Sequence, residues 1–215
     1  MELINNRSTL PTIRLSNPLA IAVADKYGPA EHFIRKFNPD KAGYCARHLP
    51  EAIANDCPAM VVAVMAYGEP SITALLITHI SATVVRMGEE MQMTPEDVRF
   101  IAEGILGNEK ARLLTMAGIL GFFYRMACGE FKIYGAITPR KFLECFNEYA
   151  EQLVHIERLL RADVAKVREQ QEKQEHDAVA ITFDEWKSLR GYGDEMNDPL
   201  NFKKKPNDGK RLENE

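Results

Sequence analysis

From Thr138 onward the chain places Phe142, Phe146, Tyr149, Leu153, Ile156 and Leu160 at intervals of 4, 3, 4, 3 and 4 residues. That is a single apolar seam along a helix, close to a heptad repeat. Thr138 predicts the N-cap, and Pro139 the first helical position, where a missing N–H costs nothing. Asp163 falls where the next apolar residue is due, and Val164 and Val167 continue the seam displaced. The run 168–176, Arg-Glu-Gln-Gln-Glu-Lys-Gln-Glu-His, has no apolar residue. The pattern predicts a long C-terminal helix that faces a core in its first part and projects into solvent in its last. The alternative is a short coiled-coil seam, Phe142–Leu160, joining two copies as a homodimer.

The preceding stretch is apolar nearly all round: Leu113, Leu114, Met116, Ala117, Ile119, Leu120, Phe122, Phe123, Met126 and Ala127. Such a helix belongs at the centre of a domain. Arg112 and Arg125 bracket it too closely for a membrane span. Gly118 and Gly121 would let a neighbouring helix approach closely, and Gly129 is placed to terminate the helix. Residues 109–160 thus read as two helices joined by the ten-residue connector 129–138.

The rest of the chain is punctuated by helix signals. Asn17-Pro18 starts a helix that ends at Tyr27-Gly28, and Pro29 opens another carrying Phe33, Ile34 and Phe37. Prolines in 38–58 allow only short helices, one of them near Leu49 to Asn55. Residues 60–67 are rich in valine but have no partner strand, so a helical piece ending at Gly68 is predicted. Ile72, Leu75, Leu76, Ile80 and Val84 mark a helix to Met87, and Thr94-Pro95-Glu96-Asp97 a capped helix start. The expectation is an all-α protein: an irregular bundle of six to eight helices around the buried central helix. A flexible arm (1–16) precedes a helical domain (17–168). A projecting helix with a short Trp-bearing segment (169–190) and a disordered tail (191–215) follow.

The net charge of −4 carries no signature of a dedicated nucleic-acid binder. Charge is uneven, however. Residues 1–50 hold Arg7, Arg14, Lys26, Arg35, Lys36, Lys41 and Arg47 against Glu2, Asp25, Glu31 and Asp40, about +3, leaving about −7 for the rest. Cys45, Cys57, Cys128 and Cys145 are scattered and read as free thiols. The N-terminus has no secretory pattern and no segment reads as transmembrane, so a cytoplasmic protein is expected.

Motifs for chemistry are few. Cys45, His48 and Cys57, with His32 upstream, hold zinc-ligand atoms in a spacing that fits no standard zinc pattern. Structural roles suit them better, and neither metal nor cofactor is expected. Phosphate-loop, dinucleotide and nucleophile-elbow signatures do not occur. Glu96, Asp97 and Glu103, with Glu89 and Glu90, read as helix-end electrostatics. The connector mixes aromatics with basic residues. Lys132, Tyr134, Arg140 and Lys141 are candidates for nucleic-acid contact, although any helix hairpin needs the same mixture. Phe183, Trp186 and Leu189 recur every three residues and form one apolar edge, a candidate docking element for a protein partner unless the segment folds back.

Phe122-Phe123, Gly129, Tyr134-Gly135 and Glu148-Tyr149 together resemble a pattern in small, uncharacterised helical proteins of phages and integrating mobile elements, often found near replication genes. The resemblance covers residues 113–157 and brings no known activity. It implies a helical accessory factor. Three functions are weighed: first, a non-enzymatic adaptor docking a protein partner through its C-terminal segment; second, a nucleic-acid-associated replication accessory factor using the basic first quarter and the connector; and last, a helical enzyme with an unfamiliar site.

Overall fold

The computed structural model describes residues 17–88, 93–179 and 185–186. The predicted arm, most of the Trp-bearing segment and the predicted tail lie outside the described residues. Among the described residues the chain is all-α, with ten α-helices and one 3₁₀ turn. In order these are α1 (Pro18–Tyr27), α2 (Ala30–Lys36), the 3₁₀ turn Pro39–Lys41, α3 (Ala42–Arg47), α4 (Leu49–Ala54) and α5 (Met60–Tyr67). They continue with α6 (Glu69–Met87), α7 (Pro95–Gly107), α8 (Glu109–Leu113), α9 (Met116–Ala127) and α10 (Pro139–Val179). The chain divides into two units, Met1–Lys166 and Val167–Glu215.

Helix starts follow the local chemistry. The Asn17 side chain accepts from the Leu19 amide at 2.9 Å. Thr94 and Asp97 form a reciprocal capping box, with each side chain accepting from the other's amide at 3.1 Å. The Thr138 hydroxyl accepts from the Lys141 amide at 3.3 Å. Gly129 stops α9 with φ +73°, and a Schellman pair of hydrogen bonds, Gly129 to Met126 and Glu130 to Arg125, satisfies the last carbonyls.

The centre of the first unit is α9, of which Met116 to Phe123 and Met126 are buried. Helix α3 crosses it at close range, as Gly121 permits: a Cβ there would stand 3.5 Å from the Ala46 Cα and 3.1 Å from the Tyr149 hydroxyl. Phe122 gathers the rings of Phe142, Phe146 and Tyr149 at centroid distances of 5.5, 5.0 and 5.4 Å, which seats the first part of α10 on α9. Burying rings of this size stabilises by roughly 2–3 kcal/mol each. A second aromatic knot, Tyr27, Phe33, Phe37 and Tyr67, ties α1 and α2 to α5.

Three expectations are corrected. The segment 109–127 is two helices, because Leu114 and Thr115 are extended (ψ 147° and 153°). Their backbone pairs with the start of α5, Met60 N–H to the Leu114 carbonyl and Met116 N–H to the Pro58 carbonyl, both at 2.9 Å. Leu113 is consequently 55 % exposed rather than central. The seam of α10 is buried at Phe142, Phe146, Tyr149 and Leu153, but Ile156 is 47 % exposed and Glu157 takes its place in the core. Finally, α6 is long and apolar enough, by length and composition only, to cross a membrane, where no segment was expected to qualify. One face of it, from Ile72 to Thr83, is buried in the first unit.

In the second unit the described part of α10, residues 167–178, is exposed at every position. Lys173 pairs with Glu169 at 2.8 Å along it.

Candidate functional site

Five cationic side chains from separate parts of the chain meet at one cleft of about 980 Å³. Lys26 comes from α1, Lys36 from α2, Lys41 from the 3₁₀ turn, Arg47 from α3 and Arg86 from α6. Asp40 is the one carboxylate among the lining residues, so the balance is +4. The floor is apolar and aromatic, with Phe37, Cys45, Ala52, Cys57, Ala117 and Tyr124 among its members.

Local sequence explains why the cations converge. Asn38 caps the 3₁₀ turn by accepting from the Asp40 amide at 2.9 Å. That turns the chain sharply between α2 and α3 and brings Lys36, Lys41 and Arg47 around one opening. Gly43 lets α3 settle onto Tyr124, since a Cβ there would lie 2.9 Å from the ring. Arg47 then stacks over Tyr124 at 5.7 Å from the centroid and donates to its hydroxyl at 3.4 Å. The Lys26 and Lys36 ammonium groups stand 5.5 and 5.2 Å from the centroid of the same Tyr27 ring. Lys26 also donates to the Asn55 carbonyl. Arg86 contacts Asp40 and the Pro39 carbonyl, each at 3.4 Å.

The thiols at the floor are held protonated. Burial pushes Cys57 up to about 12, although the Ala117 amide and Lys26 act the other way. Burial raises Cys45 too, against its own backbone and Lys41. Both are therefore poor nucleophiles near neutrality, whereas Cys128, which also lines the cleft, is exposed. His79, behind the floor, is buried, and desolvation lowers it to about 4. Its neutral ring donates from Nε2 to the Phe37 carbonyl at 2.7 Å and stacks on Phe123.

The candidate nucleic-acid residues Lys132, Tyr134, Arg140 and Lys141 lie outside the cleft lining. Tyr134 is 82 % exposed and Lys132 is exposed. Arg140 pairs with Glu144 at 2.8 Å, and Lys141 donates to the carbonyls of Tyr134 and Ala136 at 2.7 and 3.2 Å. Arg140 and Lys141, in the first turn of α10, thus have local partners. Phe131 plugs the core against Phe122 at 5.2 Å, and none of these residues lines the cleft. Trp186 lies in a described helical pair and is 38 % exposed, while Phe183 and Leu189 lie outside the described residues. Cys45 and Cys57 share the cleft, but His48 turns its Nδ1 to Glu51 at 3.0 Å. Among the described residues no group of three or more His, Cys, Asp or Glu is arranged to hold a metal ion.

The basic excess of residues 1–50 was visible in the sequence and supplies four of the five cations. Arg86, on a helix read only for its apolar stripe, carried no signal. Compared with known proteins, the chain matches no family model, no curated protein and no solved structure.

Proposed function

We propose that the protein is a non-enzymatic accessory module that binds an organic anion in the cleft between α1, α2, α3, α6 and α9. The observation that carries this reading is the +4 balance of charge around an apolar, ring-lined floor. Clefts that take small ligands are mostly apolar with a few convergent polar groups, and about 300–1,000 Å³ in volume. Clustered like charge in a concavity raises the local concentration of the opposite charge.

Calorimetric titration of the full chain with anions of increasing charge and apolar size tests the reading. One saturable site is expected, weakening as salt rises, and weakened further by Lys36→Ala and Arg47→Ala. Absence of anion binding, or binding indifferent to both substitutions, overturns it.

Docking of a protein partner through the C-terminal segment is the second reading, favoured by the exposure of Trp186. Trp186→Ala would then abolish capture of a partner while leaving anion binding intact. The nucleic-acid reading draws on the basic first quarter and the connector, where Lys132 and Tyr134 are exposed.

A further inference from the structure

Resting on the anion-binding reading, the geometry points to a nucleoside polyphosphate as the ligand: a chain of phosphates among the cations, with its base on the ring-lined side of the same cleft, where Tyr44 is exposed. Charge decides first. A monocarboxylate or a sulfonate would answer one of the five cations and leave most of the +4 balance unmet. A diphosphate or triphosphate ester carries about −3 to −4 near neutrality and answers it.

Placement decides next. The cations come from five separate elements, α1, α2, the 3₁₀ turn, α3 and α6, around one cleft. Lys26 and Lys36 stand beside Tyr27 at 5.5 and 5.2 Å, Arg47 lies over Tyr124 at 5.7 Å, and Arg86 is held at Asp40, 3.4 Å away. Several phosphates, each met by a cation from a different element, suit that arrangement. A single phosphate would touch only part of it.

Size and surface decide last. An inorganic polyphosphate would leave unused the apolar side of the cleft, where the half-buried Ala52 and Tyr124 lie beside the cations. Tyr44, 54 % exposed and stacked on His48 at 4.3 Å, offers a flat, accessible face at the same opening. Base-on-ring stacking is tolerant of base identity because every base has a π face. The site is thus expected to read the phosphate chain more strictly than the base.

Isothermal titration of the full chain with ATP, AMP, adenosine, inorganic triphosphate, dodecanoate and a twelve-residue single-stranded oligonucleotide tests this. ATP is expected to bind about tenfold more tightly than AMP and than inorganic triphosphate, and adenosine not measurably. Lys36→Ala combined with Lys41→Ala should weaken ATP about tenfold, with the circular dichroism spectrum and Tm unchanged. Raised salt should do the same to the unsubstituted chain. Inorganic triphosphate matching ATP overturns the assignment, because the floor would then contribute nothing. Dodecanoate binding without ATP overturns it while leaving the anion-binding reading in place. Oligonucleotide binding without free nucleotide overturns it in favour of a strand. Binding of none of these anions sinks both readings.

Discussion

Glu157 of α10 closes the start of α9 by accepting hydrogen bonds from Thr115, 3.2 and 3.0 Å from its amide and 2.7 Å from its hydroxyl. The same hydroxyl accepts from the Gly118 amide at 3.0 Å, as an N-cap should. Arg161, one turn further along α10, donates to Glu157 at 2.7 Å and to the Leu113 carbonyl at 3.0 Å. One carboxylate, 1 % exposed, thus joins α10 to the break between α8 and α9. Burial raises its pKa, and the Thr115 and Arg161 contacts hold that rise in check.

Glu157→Ala should therefore cost on the order of 2–4 kcal/mol, since it strands a buried amide and hydroxyl. Glu157→Gln keeps an acceptor and should cost less. Chemical denaturation measures both. A loss of under about 0.5 kcal/mol for the alanine variant, typical of a surface change, would contradict the described contact.

Gly118→Ala should reproduce much of this loss from the other side. A Cβ at Gly118 would overlap the Glu157 carboxylate and stand 2.8 Å from Leu153 Cδ2. Because both substitutions break one contact, their effects should fall short of additive in a double-mutant cycle. Full additivity would mean that the two residues do not meet.

Stability should fall in mild acid because of His79. Its pKa is about 4 in the folded chain against the ordinary 6.5, so the unfolded chain takes up the proton first. The contribution is fully present above about pH 6.5 and is lost as pH falls toward 4, on the order of 3 kcal/mol in all. Glu157 acts in the opposite sense. Its raised pKa makes the folded chain gain stability as pH falls through it toward the ordinary carboxylate range. His79→Leu should flatten the acid side of the stability profile, and would also remove the buried Nδ1, which has no hydrogen-bond partner. An unchanged profile would contradict the assignment of a neutral, buried ring.

Thiol reactivity should separate cleanly. Cys128 is exposed, whereas Cys45 and Cys57 have burial-raised pKa values. Brief alkylation at mild pH, read by mass spectrometry, should label Cys128 first and Cys45 and Cys57 only on unfolding. Early labelling of Cys57 would contradict the protonated floor.

Much of the architecture was legible because it rests on local chemistry. Caps at Asn17, Thr94 and Thr138, and the stop at Gly129, are written in single residues and their immediate neighbours. The buried stripes of α6 and α7 follow period 3.6. The interruption at Leu114 and Thr115 was not legible, because an all-apolar run offers no change of polarity to mark a break. It exists through tertiary pairing with Pro58 and Met60. Seam spacing likewise favoured Ile156 over Glu157, since only the Thr115 donors make a buried carboxylate tolerable there. The cleft was hidden for a third reason: Lys26, Lys36, Lys41, Arg47 and Arg86 each look like an ordinary solvated residue until the fold brings them to one rim.

Where an anion sits on this surface is the most direct question. Amide chemical-shift mapping of the full chain during titration with ATP answers it residue by residue. Shifts concentrated at 36–47, 55–57 and 124–128 are expected, and in the Lys36→Ala, Lys41→Ala variant they should need about tenfold more ATP to reach the same extent. Shifts confined to 130–141, or none at saturating ligand, would contradict binding in the cleft.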